Sequence, residues 1–333
     1  MKKKILVTGG AGFIGLNFIE YLLKKNYNVI NIDDLSYAAN KKEHNKIKSK
    51  RNYKFFKINI KNKKKLLYLL KKNNIYNVVN FAAETHVDNS IQKPHKFINN
   101  NIVFFFSFLE SLNFYYQGLT IKNKKKFRFV HISTDEVYGS LDNNRKSFLE
   151  TDVLKPNNPY SSSKASGELI LRSFYKTYNF PYIITNSSNN YGKYQNDEKF
   201  IPKVFKTALS NEKIPIYGKG ENIRDWIHVE DHCSAILKVL QKGRIGEKYN
   251  IGSNNETSNL NLVKYICFLL DKIVPKKISY SKQICYIKDR PGHDYRYSIN
   301  ANKIRNELSW RPKFILKKGL KGIANFYIAK NLN

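Results

Sequence analysis

The stretch Thr8-Gly9-Gly10-Ala11-Gly12-Phe13-Ile14-Gly15 joins a short apolar strand pattern to the start of a helical pattern. Its glycines Gly9, Gly12 and Gly15 recur every three residues. In a strand-to-helix turn, such glycines permit the tight bend, the approach of a pyrophosphate to the backbone, and close packing of helix on strand. The free amides and the dipole of the helix N-terminus then face the anion. The stretch therefore predicts a dinucleotide-binding turn, and a glycine-rich turn without a ligand is the alternative.

The next strand pattern ends at Asp33, 18 residues after Gly15. In dinucleotide-binding folds, a carboxylate about 20 residues beyond the glycines hydrogen bonds the 2′-hydroxyl of the adenosine ribose. Because a carboxylate at this place repels a 2′-phosphate, we predict that the cofactor is NAD and not NADP.

Short apolar strands alternate with helical patterns through the first half of the chain. The predicted strands are residues 5–8, 29–33, 53–58, 78–82, 128–133 and 182–185, and the clearest predicted helices are 13–25, 63–72 and 160–178. This alternation is typical of α/β proteins with a doubly wound parallel sheet of the Rossmann type. We predict an NAD-binding Rossmann domain over 1–185 and a smaller C-terminal substrate-binding lobe formed mainly by 186–333, with segments near 225–250 returning to the first domain. We expect the Lys- and Asn-rich segment 40–50 to be a solvated loop.

A tyrosine and a lysine in the predicted helix 160–178 offer acid–base chemistry. Tyr160 and Lys164 are four residues apart, so their side chains share one helical face. An ammonium favours a neighbouring phenolate, so we expect Lys164 to lower the pKa of Tyr160 and to make it a base for a hydroxyl group. Alone, such a pair is common and could be a surface feature.

Thr134, Asp135 and Glu136 directly follow the predicted strand 128–133. Ligands of open α/β sheets bind beyond the carboxyl ends of the strands, so this segment should line a cleft. Thr134 can hydrogen bond a hydroxyl that is being oxidised, and adjacent carboxyls on a helical turn point about 100° apart. The alternative is a pair of acids that interact with a helix dipole.

The 333 residues include 59 Lys and Arg against 26 Asp and Glu, a formal net charge of +33. Such an excess is typical of proteins that bind nucleic acid or an anionic membrane. However, the lysines are scattered, and Lys, Asn, Ile, Phe and Tyr, whose codons are AT-rich, are abundant together. We therefore favour compositional drift, and we expect a small phosphate-bearing substrate and neither a nucleic acid nor a membrane as partner.

The cysteine and hydropathy patterns indicate a cytoplasmic protein. Cys233, Cys267 and Cys285 lack the paired spacing of zinc sites and cannot build a disulfide framework, so no metal site is predicted. The apolar run after the basic residues 2–4 stops after three residues, too short for a signal peptide. No stretch approaches the ~20 apolar residues of a membrane helix.

Together, these motifs resemble the extended short-chain dehydrogenase/reductase family, and within it the nucleotide-sugar 4,6-dehydratases. The similar segments extend over nearly the whole chain: residues 8–15, 82–88, 131–139, 159–166, 186–192, 214–231 and 289–294. The sequence Thr134-Asp135-Glu136 discriminates best, because related sugar epimerases generally lack both carboxylates after the threonine. The resemblance implies dTDP-glucose as substrate and a product used to make deoxysugars such as rhamnose.

The resemblance also implies a mechanism. Tyr160, with Thr134 and Lys164 beside it, would take the proton of the glucose 4-hydroxyl while NAD accepts a hydride from C4. Glu136 would then remove the C5 proton while Asp135 protonates the departing 6-hydroxyl, so that water is eliminated. Because Asp135 must be protonated for this role, its pKa should be raised by burial beside Glu136. Return of the hydride to C6 and delivery of a proton to C5 would give dTDP-4-keto-6-deoxyglucose. The implied enzyme is an NAD-dependent hydro-lyase.

Binding positions of the family also map onto this sequence by resemblance. The implied cofactor contacts are Gly9, Gly12, Phe13, Ile14, Gly15, Asp33, Leu35, Ser36, Asn59, Ile60, Ala82, Ala83, Glu84, Asn100, Tyr160, Lys164 and Asn190. The implied substrate contacts are Thr85, Thr134, Asn189, Lys199, Phe200, Pro215, Ile216, Tyr217, Arg224, Asn259, Asp289, Arg290, Pro291, Gly292 and His293. Lys199 and Arg224 suit a diphosphate, and Tyr217 suits stacking on thymine. Ordinary loop ion pairing is the alternative, above all for Lys199.

Some positions depart from the family pattern. Asn59 stands where an Asp usually contacts adenine, and Asn100 stands where a Thr usually helps to hold the cofactor. Phe104-Phe105 replaces a usual Gly-Thr, and Asp197 stands where a Pro usually precedes Glu198. We expect weaker cofactor binding or looser loops from these changes, with every catalytic group retained.

Aromatic residues occupy several faces of the segment 102–109, which is typical of a buried helix. In the family, the corresponding helix and the Tyr160 helix form a dimer bundle, so the resemblance implies a homodimer, and a core helix is the alternative. Two other functions stay open: another NAD-dependent nucleotide-sugar enzyme (a 4-epimerase, or a dehydratase of UDP- or GDP-sugars) and a non-catalytic NAD-sensing or RNA-binding protein. The Asp135-Glu136 pair argues against epimerisation, and the retained catalytic side chains argue against a binding-only role.

Overall fold

The computed structural model describes residues 4–142 and 146–332. The strands are β1 (Lys4–Thr8), β2 (Asn28–Asp33), β3 (Tyr53–Lys57), β4 (Asn77–Asn80), β5 (Arg128–Thr134), β6 (Tyr182–Ser187), β7 (Asn189–Tyr191), β8 (Ile214–Tyr217), β9 (Ile223–His228), β10 (Lys248–Ile251), β11 (Glu256–Ser258), β12 (Ile284–Ile287) and β13 (Arg296–Tyr297). The α-helices are α1 (Phe13–Lys24), α2 (Lys41–Ile47), α3 (Lys63–Asn73), α4 (Val87–Gln92), α5 (Pro94–Ile98), α6 (Phe105–Gln117), α7 (Ile121–Lys124), α8 (Pro159–Tyr178), α9 (Phe200–Leu209), α10 (Val229–Lys242), α11 (Asn259–Ile273), α12 (Asn302–Leu308) and α13 (Leu316–Leu332). A π-helical turn covers Asn99–Phe104, and 3₁₀ turns cover Asp135–Tyr138 and Tyr280–Gln283. None of these helices has the length and apolar character needed to span a membrane.

A parallel sheet has the strand order β10-β6-β5-β4-β1-β2-β3. Every neighbouring pair in it is parallel. Its central strands are short apolar runs because helices cover both of their faces. The order changes direction between β1 and β4, which opens a crevice at the carboxyl ends of these strands. The predicted doubly wound α/β fold of the Rossmann type is confirmed.

Helices hold the sheet from both sides. On one face, α1 packs against α10, and Phe18 and Ile236 are fully buried there. On the other face, α3, α6 and α8 cover an aromatic core in which the rings of Phe108 and Phe129 lie 6.1 Å apart. Each fully buried side chain of this size stabilises the fold by about 1.5–3 kcal/mol. This packing fixes α8, the helix that carries Tyr160 and Lys164.

The predicted strands and helices lie within two residues of the observed ones. The expectation of a loop at residues 40–50 is wrong, because α2 lies there. Its His44 and Ile47 are buried, and His44 Nε2 lies 2.7 Å from the Tyr53 hydroxyl. Contacts with distant residues therefore stabilise a helix whose own sequence resembles a solvated segment.

The C-terminal lobe has its own apolar core, formed by α9, α11 and α13. In this core, the rings of Phe205 and Tyr327 stack with their centroids 5.1 Å apart. Short strands border the core: β8 pairs with β12, and β9 pairs with β7, β11 and β13. These strands face the carboxyl ends of the large sheet across a cleft.

Candidate active site

The cleft between the sheet and the C-terminal lobe has a volume of about 450 Å³. The residues that line it include the predicted catalytic side chains Thr134, Asp135, Glu136, Tyr160 and Lys164. The predicted cofactor and substrate contacts also line it, apart from Leu35, Ile216, Asp289, Pro291 and Gly292. The cleft thus brings the acid–base groups and both binding regions together.

The glycine turn between β1 and α1 has the geometry of a phosphate cradle. Gly9 has a φ of +68°, and a Cβ there would lie 2.6 Å from the backbone nitrogen of Ala82. A Cβ on Gly15 would lie 2.4 Å from the Gly9 oxygen, so both positions exclude a side chain. Gly12 precedes α1 without a side-chain hydrogen bond to the helix amides, and the turn borders the cleft. The amides of the first helical turn therefore fit the diphosphate of a dinucleotide.

Asp33 connects the glycine turn to the loop after β2. Its Oδ2 accepts a hydrogen bond from the Ala11 amide at 2.9 Å, and its Oδ1 accepts one from the Leu35 amide at 2.7 Å. The neighbouring Asp34 accepts a hydrogen bond from Asn59 Nδ2 at 2.9 Å. Both carboxyls border the cleft, and burial raises the pKa of Asp33. Leu35 holds Asp33 through its amide, while its side chain lies off the cleft.

The turn after β5 buries two adjacent carboxyls. Burial raises the pKa of Asp135 well above its usual range, and the charges of Glu136 and Asp225 raise it further. Burial also raises the pKa of Glu136, and the cations Arg290 and Arg224 oppose that rise. The predicted direction for Asp135 is confirmed, and its cause is chiefly the loss of hydration.

Each carboxyl of this pair presents one free oxygen. Asp135 Oδ2 and Glu136 Oε2 are buried and lack a hydrogen-bond partner among residues 4–142 and 146–332. Thr134 Oγ1 fixes the turn by accepting a hydrogen bond from the Glu136 amide and donating one to Asp135 Oδ1, both at 3.3 Å. Because buried polar atoms are normally paired, the two free oxygens mark positions for polar groups of a ligand. Such a pair can protonate one ligand atom and deprotonate another.

The environment of Tyr160 differs from the prediction. Burial raises its pKa, and the charges of Glu136 and Asp135 raise it further, while a hydrogen bond with Thr134 opposes the rise. The Lys164 ammonium donates to the Ile132 carbonyl at 2.7 Å. Burial lowers the pKa of Lys164 to about 8. The expected lowering of the Tyr160 pKa is therefore wrong here, because burial and the charges of Glu136 and Asp135 raise it.

Arg224 anchors the wall of the cleft that belongs to the C-terminal lobe. Its guanidinium donates hydrogen bonds to the carbonyls of Ile223 at 2.8 Å, Asp294 at 2.9 Å and Tyr295 at 3.2 Å. It also lies 4.2 Å from the centre of the Tyr297 ring. Arg224 thus fixes the segment that leads from β12 to β13 and contributes positive charge near Glu136.

Side chains of the C-terminal lobe reach across the cleft to the segment after β4. Lys199 Nζ donates to the Thr85 carbonyl at 2.8 Å. Arg290 Nη1 forms an ion pair with Asp88 Oδ1 at 3.3 Å, and the Tyr217 hydroxyl lies 3.5 Å from Asp88 Oδ2. These contacts join the two walls directly.

Ile216 is a predicted substrate contact that lies away from the cleft. Its side chain is buried in the C-terminal core. Side chains alternate along β8, so Pro215 and Tyr217 line the cleft while Ile216 faces the opposite side. The strand geometry therefore accounts for the difference.

The predicted contacts Asp289, Pro291 and Gly292 also lie outside the cleft, in an exposed turn. Asp289 Oδ1 lies 2.6 Å from Nδ1 of His293, which does line the cleft. Burial lowers the pKa of His293 to about 4. The turn therefore acts on the cleft by orienting His293.

Other residues line the cleft although sequence reasoning gave them no role there, among them Ala38, Ala39, Phe81, His86, Val87, Asp88, Ser133, Ser187, Ser188, Gln195, Asn196, Glu198, Lys203, Trp226, Ile287 and Tyr297. Asp88 had a signal, because it belongs to the segment 82–88 that carries the family resemblance. Ser187 is the last residue of β6, and ligands of such sheets bind beyond the carboxyl ends of the strands. Trp226 had the same kind of signal as Asp88, because it belongs to the resembling segment 214–231, whereas Tyr297, on β13, had none.

The sequence and the fold of this chain match those of known proteins. The model of the GDP-mannose 4,6 dehydratase family matches residues 6–323. A dTDP-glucose 4,6-dehydratase of Shigella flexneri is 44% identical over 335 aligned residues, covering 98% of this chain and 93% of that protein. The crystal structure of dTDP-glucose 4,6-dehydratase from Bacillus anthracis in complex with NAD has a TM-score of 0.85 at 44% identity, covering 99% of this chain and 97% of that one. The enzyme of that name from Streptomyces venezuelae, with NAD and a dTDP ligand bound, has a TM-score of 0.89 at 37% identity, covering 98% and 97%.

Proposed function

Since this chain belongs to the GDP-mannose 4,6 dehydratase family, we propose that it is an NAD-dependent dTDP-glucose 4,6-dehydratase, a hydro-lyase that forms dTDP-4-keto-6-deoxyglucose. The observation that carries the proposal is the buried pair Asp135 and Glu136 beside Tyr160, in the same cleft as the dinucleotide turn. Oxidation of a sugar hydroxyl needs one base. Elimination of water also needs a base for the C5 proton and an acid for the leaving hydroxyl. The product serves the synthesis of deoxysugars such as rhamnose.

Different residues of the cleft carry out the separate proton transfers of the reaction. When bound, NAD supplies the acceptor for the C4 hydride and the donor that returns it to C6. Tyr160, hydrogen bonded to Thr134, would take the proton of the 4-hydroxyl as a phenolate, and the positive charge of a bound nicotinamide ring would oppose the rise in its pKa. The ketone at C4 acidifies the C5 proton, which Glu136 removes. Asp135, held protonated by burial, gives its proton to the departing 6-hydroxyl, and each such proton transfer contributes ~10²–10⁴-fold.

The binding roles follow the two ends of the cleft. The cofactor diphosphate fits the amides of the glycine turn, and its adenosine ribose fits Asp33 and Asp34. The nucleotide sugar fits the opposite wall, where Lys199 and Arg290 supply positive charge for a diphosphate. Tyr217 borders the same region and offers a ring for the base.

Turnover in deuterated water tests the proposed function. With dTDP-glucose, we expect a 4-keto-6-deoxy product that carries deuterium at C5, because the proton removed by Glu136 is replaced from solvent. Glu136→Gln keeps the size of the side chain and should abolish both product and label. Mass spectrometry and proton NMR of the product measure both. Absence of the product, or interconversion of UDP-glucose with its 4-epimer instead, would refute the dehydratase.

We also propose a homodimer formed through the π-helical turn, α6 and α8. Val103, Phe106 and Leu169 are exposed to 48%, 42% and 57% on these packed elements. Neighbouring exposed apolar side chains mark interaction surfaces. Light scattering at micromolar concentration should give a dimer for the wild type and a monomer for Leu169→Lys. Ile315→Lys, at a 58% exposed position before α13, is the matched control and should stay dimeric; a monomeric wild type would contradict the proposal.

We propose that residues 1–185 form the NAD-binding domain and that 186–333 mainly form the nucleotide-sugar lobe, with segments near 225–250 returning to the first domain. In support, α10 packs against α1, and β10 pairs with β6. We also propose a cytoplasmic location, which suits an enzyme of nucleotide sugars. Recovery of the protein in the cytoplasmic fraction is the expected result.

A further inference from the structure

Helix α8 carries a third ionisable side chain on the face that bears Tyr160 and Lys164. Glu168 lies four residues after Lys164, so the three side chains follow one another along the helix. Glu168 is only 3% exposed and, in the described structure, lies behind the cleft instead of lining it. A carboxylate at this depth needs compensating partners, because its burial removes hydration.

The partners of Glu168 join three neighbouring strands. Its Oε1 accepts hydrogen bonds from Ser133 Oγ on β5 and from Asn186 Nδ2 on β6, both at 2.6 Å. Asn186 Nδ2 also donates to the Thr134 carbonyl at 3.0 Å. The Oε2 atom forms an ion pair with Lys248 Nζ on β10 at 2.7 Å. Glu168 is thus connected to the first residue of the catalytic turn through a single amide group.

The ammonium of Lys164 lies in an environment with little to stabilise its charge. Its Nζ donates to the Ile132 carbonyl at 2.7 Å and lies 3.4 Å from His131 Nε2. Burial keeps the pKa of His131 well below its usual range, so this imidazole is neutral. Burial also lowers the pKa of Lys164 to about 8, and the negative charge of Glu168 opposes that change.

Other titratable groups surround the helix. The elements that pack against α8 carry Asp88, His95, Lys96, Glu110, Tyr115, Tyr116, Arg128, His131, Asp135, Glu136, Tyr138 and Tyr182. The π-helical turn against α8 has only amide and apolar side chains. Glu168 is the charge that raises the pKa of Lys164.

We propose that Glu168 is a positioning residue for the dehydratase reaction. From behind the cleft, it orients Thr134 through Asn186 and supplies the negative charge that keeps Lys164 an ammonium. The positive charge of its ion-pair partner Lys248 partly offsets the effect of the Glu168 carboxylate on Lys164. The catalytic part of this inference rests on the proposed function, whereas the charge relation between Glu168, Lys248 and Lys164 does not.

Replacement of Glu168 and replacement of Lys248 should shift the pH at which Lys164 loses its proton in opposite directions. Glu168→Gln removes the negative charge and keeps an oxygen for Ser133 and Asn186, so Lys164 should lose its proton at lower pH. Lys248→Met removes the neighbouring positive charge and leaves Glu168 unbalanced, so Lys164 should keep its proton to higher pH. Lys248→Arg keeps the charge and serves as the matched control. A purely structural role would impair the variants without producing shifts of opposite sign.

NMR titration of protein labelled with ¹³C at lysine Cε measures the ionisation directly, with the Lys164 signal identified by its loss in Lys164→Arg. We expect the midpoint to fall by about one pH unit in Glu168→Gln and to rise by about half a unit in Lys248→Met, with Lys248→Arg unchanged. The alkaline limb of kcat should move with the midpoint. Shifts of the same sign, or none, would overturn the proposal. If Glu168→Gln does not fold, Lys248→Met against Lys248→Arg decides, and wild-type protein that shows the titration but forms no product contradicts only the proposed function.

Discussion

Asp135 illustrates at the residue scale how a catalytic acid opposes stability. Burial raises the pKa of Asp135 in the folded protein above its ordinary value of 3.8. At a pH between the ordinary and the raised pKa, the native state therefore holds a proton that the unfolded chain has released. Stability therefore falls as the pH rises through this window. The same displacement supplies a protonated carboxyl for the leaving hydroxyl.

Asp135→Asn should separate these two effects. The amide cannot ionise, so the melting temperature of this variant should exceed that of the wild type at pH 8. At pH 4 the two melting temperatures should converge. Turnover should fall by ~10²–10⁴-fold, because the acid is lost. Thermal melts from pH 4 to 8, together with kcat, measure both. Asp142→Asn removes an exposed carboxylate as a control, and a lower melting temperature for Asp135→Asn at pH 8 would contradict this account.

Tyr160 and Lys164 mark the limit of prediction at this scale. Their spacing correctly indicated one helical face, and both side chains line the cleft. The spacing could not show that Lys164 would donate to the Ile132 carbonyl, because that contact depends on how α8 packs against β5. Nor could it give the burial that raises the pKa of Tyr160. Residue type and spacing therefore identified the groups, and packing determined their ionisation.

At the scale of elements, the turn between β1 and α1 depends on the absence of a side chain. Gly15→Ala places a Cβ 2.4 Å from the Gly9 oxygen, so the turn must move and NAD binding should fall at least tenfold. Gly322→Ala is the matched control, because a Cβ there, on α13, meets nothing within 4 Å. That change should stabilise the protein by about 0.5–1 kcal/mol through helix propensity. Calorimetric titration with NAD and thermal melts measure both; equal NAD affinity in the two variants would contradict the role of Gly15.

Elements with a strong local pattern were predictable, and those held by distant contacts were not. The β1–α1 unit combines an apolar strand, glycines and an amphipathic helix, so its pattern is local. In contrast, α2 is a Lys- and Asn-rich segment whose His44 is buried against Tyr53 and Phe55, with ring centroids 6.0 and 4.5 Å away. The π-helical turn before α6 had no local signal either. It holds Asn101, whose amide bonds the Glu84 backbone and Ser163.

At the scale of the whole molecule, the charge of +33 makes electrostatic repulsion a general property of the folded state. Salt shortens the range of this repulsion from about 30 Å at 0.01 M to about 10 Å at 0.1 M. We therefore expect the melting temperature to rise by about 2–5 °C when NaCl is increased over this range. Differential scanning calorimetry measures the shift, with glycerol at the same osmolarity as the control. A melting temperature that falls with salt would show that attractive ion pairs dominate.

The two sides of the cleft also differ in how far the sequence revealed them. The cofactor side is formed by consecutive strand ends, so the glycines, Asp33 and the catalytic turn could be placed from the strand–helix pattern alone. The substrate side is formed by short strands distant in sequence, and its positions came from family resemblance. That route identified Arg224 but not its three carbonyl partners, and it included Ile216, whose side chain faces the core.

The contacts that Lys199 and Arg290 make with the far wall have a consequence for the motion of the enzyme. Both cations already bridge the lobes through Thr85 and Asp88. An arriving diphosphate exchanges these protein anchors for its own oxygens while the lobes keep their separation. Solution scattering should therefore record nearly the same radius of gyration with and without the nucleotide sugar.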